Sequence, residues 1–202
     1  MSDFQIRAAT IQDAADMARL DNIAGHGLSQ WHWQQQVGGE GDGGGEDDNA
    51  WLALSAAAMA RDDFPPGWTN SVIAERGGKT VGAAGGYLTE DNGEKIGTLP
   101  APLFEPLYEL FQLAAGDWLL DWLAVEPAAQ GQGIGGSLVD KCLVKAKASG
   151  AAQASLVVED TNIPALKLYH SRGFQQRDQR PYIPFNETSR TQNWLLLSAP
   201  VT

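Results

Sequence analysis

Apolar residues along the chain change spacing from one stretch to the next. "FQIRAAT", residues 4 to 10, alternates as a short strand does. Behind Thr10, a candidate cap, Ile11, Ala14, Ala15, Ala18 and Ile23 recur at helical spacing up to Gly25. Trp51 to Ala60 is alanine-rich and unbroken, which predicts a second helix, ended by the consecutive prolines of "DDFPPG". "SVIAE" and "TVGAAGGYL" read as two strands joined at Arg76-Gly77-Gly78-Lys79, an antiparallel pair. Leu103, Leu107, Leu110 and Leu113 predict a short helix after Pro102. "WLLDWLAV", residues 118 to 125, is apolar on both alternating sets except at Asp121, the pattern of a central strand covered on both faces.

The second half continues the alternation. Leu138, Val139, Cys142, Leu143 and Ala146 form one helical stripe that ends at Gly150. "ASLVVE" is a buried strand, and "IPALKLYHSR" is a helix with Pro164 in its first turn and Gly173 past its end. Two strands close the chain, the last of them "NWLLLSAPV". No internal repeat interrupts this order.

Composition narrows the function. A chain of 202 residues, 43% hydrophobic, can bury one complete core, so one domain over residues 1 to 202 is expected. "GGEGDGGGEDDN", residues 38 to 49, couples glycine freedom to five acidic side chains and reads as a flexible loop. The longest apolar stretch is far shorter than the roughly 20 residues of a membrane span, and no signal-peptide pattern opens the chain. With a lone Cys142, this favours the cytoplasm and no membrane partner. A net charge of −11 argues against nucleic acid and suits a cationic substrate. His26, His32 and His170 lack ligand spacing, so no metal is expected. Cys142 lies on the buried stripe and reads as core. The acceptor pattern "NET" at 186 to 188 has no role in a cytoplasmic chain.

The most informative stretch is "QGQGIGGSLVDK", residues 130 to 141, where glycines run directly into a helix. Amide groups and the positive end of the helix dipole converge at such a place, and glycine lets an anion approach the backbone. Gly131, Gly133 and Gly136 fit the dinucleotide pattern, with Glu159 and Asp160 ending a later strand where a ribose-binding acid would sit. Gln130, Gly133 and Gly135 fit the Q/R-x-x-G-x-G pattern of a coenzyme A pyrophosphate loop. Two spacings disfavour the dinucleotide. "EPAAQ" separates the strand from its first glycine, and too little chain follows Glu159 for the further β-α units that fold requires.

"LAVEPAAQGQGIGGSLV" followed by "EDTNIPALKLYHSRGF" resembles the two signature segments of the GNAT superfamily, the acyl-CoA-dependent N-acyltransferases. The resemblance spans about residues 117 to 176. It implies an α/β (α+β) fold with a mixed, mostly antiparallel central sheet, splayed fourth and fifth strands, and helices on both faces. It implies acetyl-CoA as co-substrate and an N-acetyltransferase that moves the acetyl group to a primary amine by direct attack in a ternary complex. The partner would be a small-molecule amine or a peptide N-terminus, with a homodimer left open. A non-catalytic acyl-CoA-binding module of the same fold is the alternative.

Residue by residue, the resemblance assigns the pantetheine arm to the backbone of Leu123, Ala124 and Val125, and to the side chain of Asn162. The pyrophosphate falls to Gln130, Gly131, Gln132, Gly133, Ile134, Gly135 and Gly136. Many relatives carry arginine where this chain has Gln130, and no lysine or arginine stands in the loop. Charge compensation then falls to backbone dipoles, or to Lys141, Lys167 or Arg172. Tyr169 matches the tyrosine that protonates the leaving thiolate, a role suited to a phenol of ordinary pKa. Asp121 and Glu159 are candidate bases for the amine, Asp121 the first of the two. Bland alternatives stand beside these roles: Tyr169 in a core stripe with Ile163, Leu166 and Phe174, Asn162 as a helix cap, and Asp121 as a carboxylate fixed by local donors. Trp31, Trp33, Trp51 and Trp68 surround the acidic loop, where an aromatic acceptor site or scattered core residues fit equally.

Overall fold

A computed structural model describes residues 3–37, 49–90, 103–185 and 189–201. The acidic glycine loop, except Asn49, and the "NET" triplet lie outside the described residues. The elements are β1 (Gln5–Ala8), α1 (Ala14–Ala24), α2 (Leu28–Val37), α3 (Ala50–Met59), β2 (Ser71–Arg76), β3 (Lys79–Leu88) and α4 (Glu105–Leu113), followed by β4 (Trp118–Val125), α5 (Ile134–Ala148), β5 (Gln153–Glu159), α6 (Ile163–His170), β6 (Gln175–Pro181) and β7 (Asn193–Pro200). The fold is mixed α/β. Its seven strands run in the order β1-β2-β3-β4-β5-β7-β6 in a mostly antiparallel sheet. β4 and β5 run parallel and pair only through Trp118↔Ala154 and Leu119↔Ser155, as expected of splayed strands. No described helix is long and apolar enough to cross a membrane.

The chain divides into two compact units. The first comprises Met1–Gly86 and Trp122–Cys142. Met17, Leu20, Met59, Ile73, Ala83, Trp122 and Ala124 form its buried cluster, with α1 and α3 packed together. Two glycines permit close approaches within it. A Cβ on Gly85 would stand 2.3 Å from Nε1 of Trp122, whose indole N–H donates to the Pro66 carbonyl at 3.1 Å. A Cβ on Gly82 would stand 3.0 Å from the Ala124 carbonyl oxygen. The chain enters α1 through a short 3₁₀ turn, Ile11–Asp13, rather than directly at Ile11. There the Asp13 carboxylate accepts from the Thr10 amide at 2.7 Å and hydroxyl at 2.9 Å, and ion-pairs with Arg7 at 2.7 Å.

The second unit comprises Tyr87–Asp121 and Leu143–Thr202. β5 pairs with β7 along its whole length, from Gln153↔Pro200 to Glu159↔Trp194, burying Leu156, Leu196 and Leu197. A polar knot ties these strands to the start of β4. The buried Ser155 hydroxyl donates to Asp117 at 2.6 Å and lies 2.8 Å from the Ser198 hydroxyl, while Arg177 reaches the same carboxylate at 3.0 Å.

Candidate functional site

In the first unit, the candidate loop grows out of β4. The Glu126 amide donates to the Val81 carbonyl at 2.9 Å, continuing the β3 contact past the strand end. A 3₁₀ turn, Pro127–Ala129, follows. Gly131 and Gly133 then adopt φ of +74° and +82°, the left-handed region where a side chain is strained. Gln130, Gly131, Gln132 and Gly133 are exposed, whereas Ile134 is buried and anchors the first turn of α5. The Ser137 amide donates to the Gly133 carbonyl at 3.1 Å, so the helix ladder starts from within the glycine turn. The exposed part is the turn itself, while Gly135 is half-buried and Gly136 buried in the first turn of α5; a glycine turn at a helix N-terminus is geometry suited to a phosphate.

The Gln130 side chain turns inward. Its Nε2 donates to the Val125 carbonyl at 3.0 Å, which ties the loop to the end of β4. Gln132 donates to the Ala128 carbonyl at 3.3 Å and accepts from Nη2 of Arg76 at 2.7 Å. Residues 123 to 125 and 130 to 136 are therefore joined in one local structure. Arg19 of α1 ion-pairs with Glu126 just before it. Neither Arg19 nor Arg76 belongs to a signature segment, and nothing in the spacing of the sequence signals either contact.

The second unit carries the other assigned residues. Tyr169 is buried on α6, and its ring meets Phe174 edge-on, with centroids 5.9 Å apart. Ile163 is 51% exposed, so the core stripe expected to include it is confined to the inner residues of this helix. Asn162 caps α6, its Oδ1 accepting from the Ala165 amide at 3.3 Å. Glu159 is buried at the end of β5. Asp121 is only half-buried, and its charge acts on Tyr87 of β3. Burial first, and that charge second, push the Tyr87 phenol well above the ordinary tyrosine range, so it remains protonated. Tyr87 is a neighbour of Asp121 that sequence reasoning did not single out. Among the described residues, no group of three or more His, Cys, Asp or Glu could hold a metal ion.

Comparison with known proteins decides the family. The model of the acetyltransferase (GNAT) family matches residues 25–174. The chain belongs to the GNAT family. A crystal structure of an acetyltransferase is 26% identical, with a TM-score of 0.67, covering 98% of this GNAT chain and 100% of the other. YncA of Salmonella typhimurium, solved with its cofactor acetyl-CoA, shares the fold at 18% identity and a TM-score of 0.59, over 100% of this chain and 95% of that one. Among curated proteins, the mycothiol acetyltransferase of Acidothermus cellulolyticus is 31% identical over 151 residues, covering 65% of this chain and 42% of that protein. That of Beutenbergia cavernae is 34% identical over 129 residues, covering 63% and 41%. The GNAT chain thus spans about two-fifths of the length of these relatives.

Proposed function

We propose that this chain is an acetyl-CoA-dependent N-acetyltransferase that acts on a primary amine. The observation that carries the proposal is the exposed turn of Gly131 and Gly133 at the head of α5, tied back to β4 by Gln130. Such a turn offers amide donors and the helix dipole to a diphosphate, and its match to the family signature favours coenzyme A over a dinucleotide. Leu123, Ala124 and Val125 would offer backbone groups to the pantetheine arm. The Asn162 side chain already caps α6, and a contact with the same arm would add to that role.

Chemistry requires a neutral amine, because an ammonium has no lone pair for the carbonyl carbon. Asp121 removes the proton, directly or through water. The nitrogen attacks the thioester carbonyl, and the Val125 amide stabilises the oxyanion. As the intermediate collapses, the carbon–sulfur bond breaks, Tyr169 gives its phenolic proton to the departing thiolate, and the extra proton of the attacking nitrogen passes through water to the tyrosinate, restoring the phenol. The products are the amide and free coenzyme A.

For the acceptor, the relatives named mycothiol acetyltransferases support a small-molecule amine, with a mycothiol-related amine the first to test and peptide N-termini the second. The experiment is a mass-resolved screen of amine acceptors with acetyl-CoA. An acetylated product formed at a catalytic rate supports the enzyme. Binding of acetyl-CoA without turnover of any amine would favour the non-catalytic module.

A further inference from the structure

The loop of residues 130 to 136 contains neither lysine nor arginine, yet it is proposed to hold a diphosphate. The fold brings a cation to it from elsewhere. β2 ends at Arg76, and the two glycines that follow take φ of +56° and +74°, a tight turn that leaves Arg76 paired with Lys79 across the hairpin. From that strand end the Arg76 guanidinium donates to Oε1 of Gln132 at 2.7 Å. Gln132 also holds the Ala128 carbonyl, so its side chain is a strut between the hairpin and the turn leading into the loop. The ionic partner of Arg76 among the described residues is Asp3, at 2.8 Å, whose side chain is 71% exposed. An ion pair open to water in this way is weak and is readily exchanged for a stronger anion. Nε of Arg76 is buried and makes no hydrogen bond among the described residues, so one donor of the guanidinium is unspent.

We propose that Arg76 is the positioning residue of the phosphate-holding loop, acting through Gln132 and bringing the positive charge that the loop itself lacks. The inference rests on the acyl-CoA reading above and deepens it. Guanidinium suits the task because its planar fork can hold the glutamine oxygen with one nitrogen and keep others for a phosphate.

The test is calorimetric titration of the wild type, Arg76→Ala, Arg76→Lys and Gln132→Ala with two donors: acetyl-CoA, and S-acetylpantetheine, which lacks every phosphate. Arg76→Ala is expected to weaken acetyl-CoA about 10-fold, equivalent to ~1.4 kcal/mol, and to leave S-acetylpantetheine unchanged. Gln132→Ala is expected to move acetyl-CoA in the same direction by less, and Arg76→Lys to recover part of the loss, because charge returns without the fork. Unchanged acetyl-CoA affinity in Arg76→Ala overturns the inference alone. An equal loss for both donors also overturns it, because Arg76 would then support the fold and not the phosphate. A wild type that binds neither donor overturns the acyl-CoA reading, and the inference with it.

Discussion

Nε2 of Gln130 donates to the carbonyl oxygen of Val125 at 3.0 Å, so the side chain that opens the glycine loop is anchored on the strand before it. On the proposed reading, Val125 would offer a backbone group to the pantetheine arm and Gln130 would begin the turn that takes the pyrophosphate. One hydrogen bond therefore fixes the spacing between these two protein segments. Gln130→Ala removes an interaction of about 1 kcal/mol. Its expected effect is an approximately five-fold rise in the acetyl-CoA Kd with a small change in Tm, measured by calorimetry and thermal unfolding.

Tyr169 sits against Phe174 in the core of its unit, which Tyr169→Phe preserves because only the hydroxyl is lost. Once an acceptor is found, that variant is expected to lose about 100-fold or more in kcat while acetyl-CoA affinity stays near wild type. Steady-state kinetics beside a binding titration separate the two effects. Unchanged turnover would remove Tyr169 from the mechanism and leave it a core residue.

Asp13 gives a pH-dependent contribution to stability with a defined sign. The Arg7 guanidinium, hydrogen-bonded to both carboxylate oxygens, and the Thr10 donors hold it down to about 2 against the cost of burial. A depressed carboxylate favours the folded state above its unfolded pKa of about 3.9, and the contribution is lost as pH falls through that value toward the folded one. Melting temperatures from pH 5 to pH 2 should fall less steeply in Asp13→Asn, which starts lower, than in the wild type.

Asp21 has the opposite sign. Burial pushes its carboxyl up to about 6, only partly countered by the hydrogen bond from Ser29. The folded state then binds the proton more tightly than the unfolded one, so stability is lost as pH rises from about 4 to 6 and stays level above. At pH 7.5, Asp21→Asn is expected to raise Tm, and Ser29→Ala to lower it by removing the donor that eases the charge. Differential scanning calorimetry at pH 4 and pH 7.5 reads both.

The sheet and the loop were legible in the chain for physical reasons. The doubly apolar pattern of Trp118 to Val125 requires cover on both faces, and Gly131 and Gly133 stand where left-handed φ is observed. Two elements lack an apolar pattern of their own, and of these the expected pair of closing strands covers β6 alone. β6, "QQRDQRP", is almost wholly polar and is held by pairing with β7, while α2, "LSQWHWQQQV", has no apolar stripe and begins where Asn22 caps the Gln30 amide. Tertiary context makes both. Arg76 and Gln132 are 56 residues apart, and only the hairpin and the turn after β4 bring them together. Side-chain contacts of that range leave no periodic trace, so the sequence alone offers Lys141, Lys167 and Arg172 as compensating cations and gives no sign of Arg76.

The proposed function requires the glycine turn at the head of α5 to hold the phosphates of acetyl-CoA. Gly133, at φ +82°, is the place to test it, since a Cβ built there meets nothing within 4 Å beyond the adjoining residues, while a side chain at that φ strains the turn. Calorimetric titration of acetyl-CoA into the wild type and Gly133→Val is the direct measurement. Saturable one-to-one binding by the wild type, weakened about 10-fold or more in a folded Gly133→Val, is the predicted result. No binding by the wild type, or equal affinity in the two proteins, would contradict it.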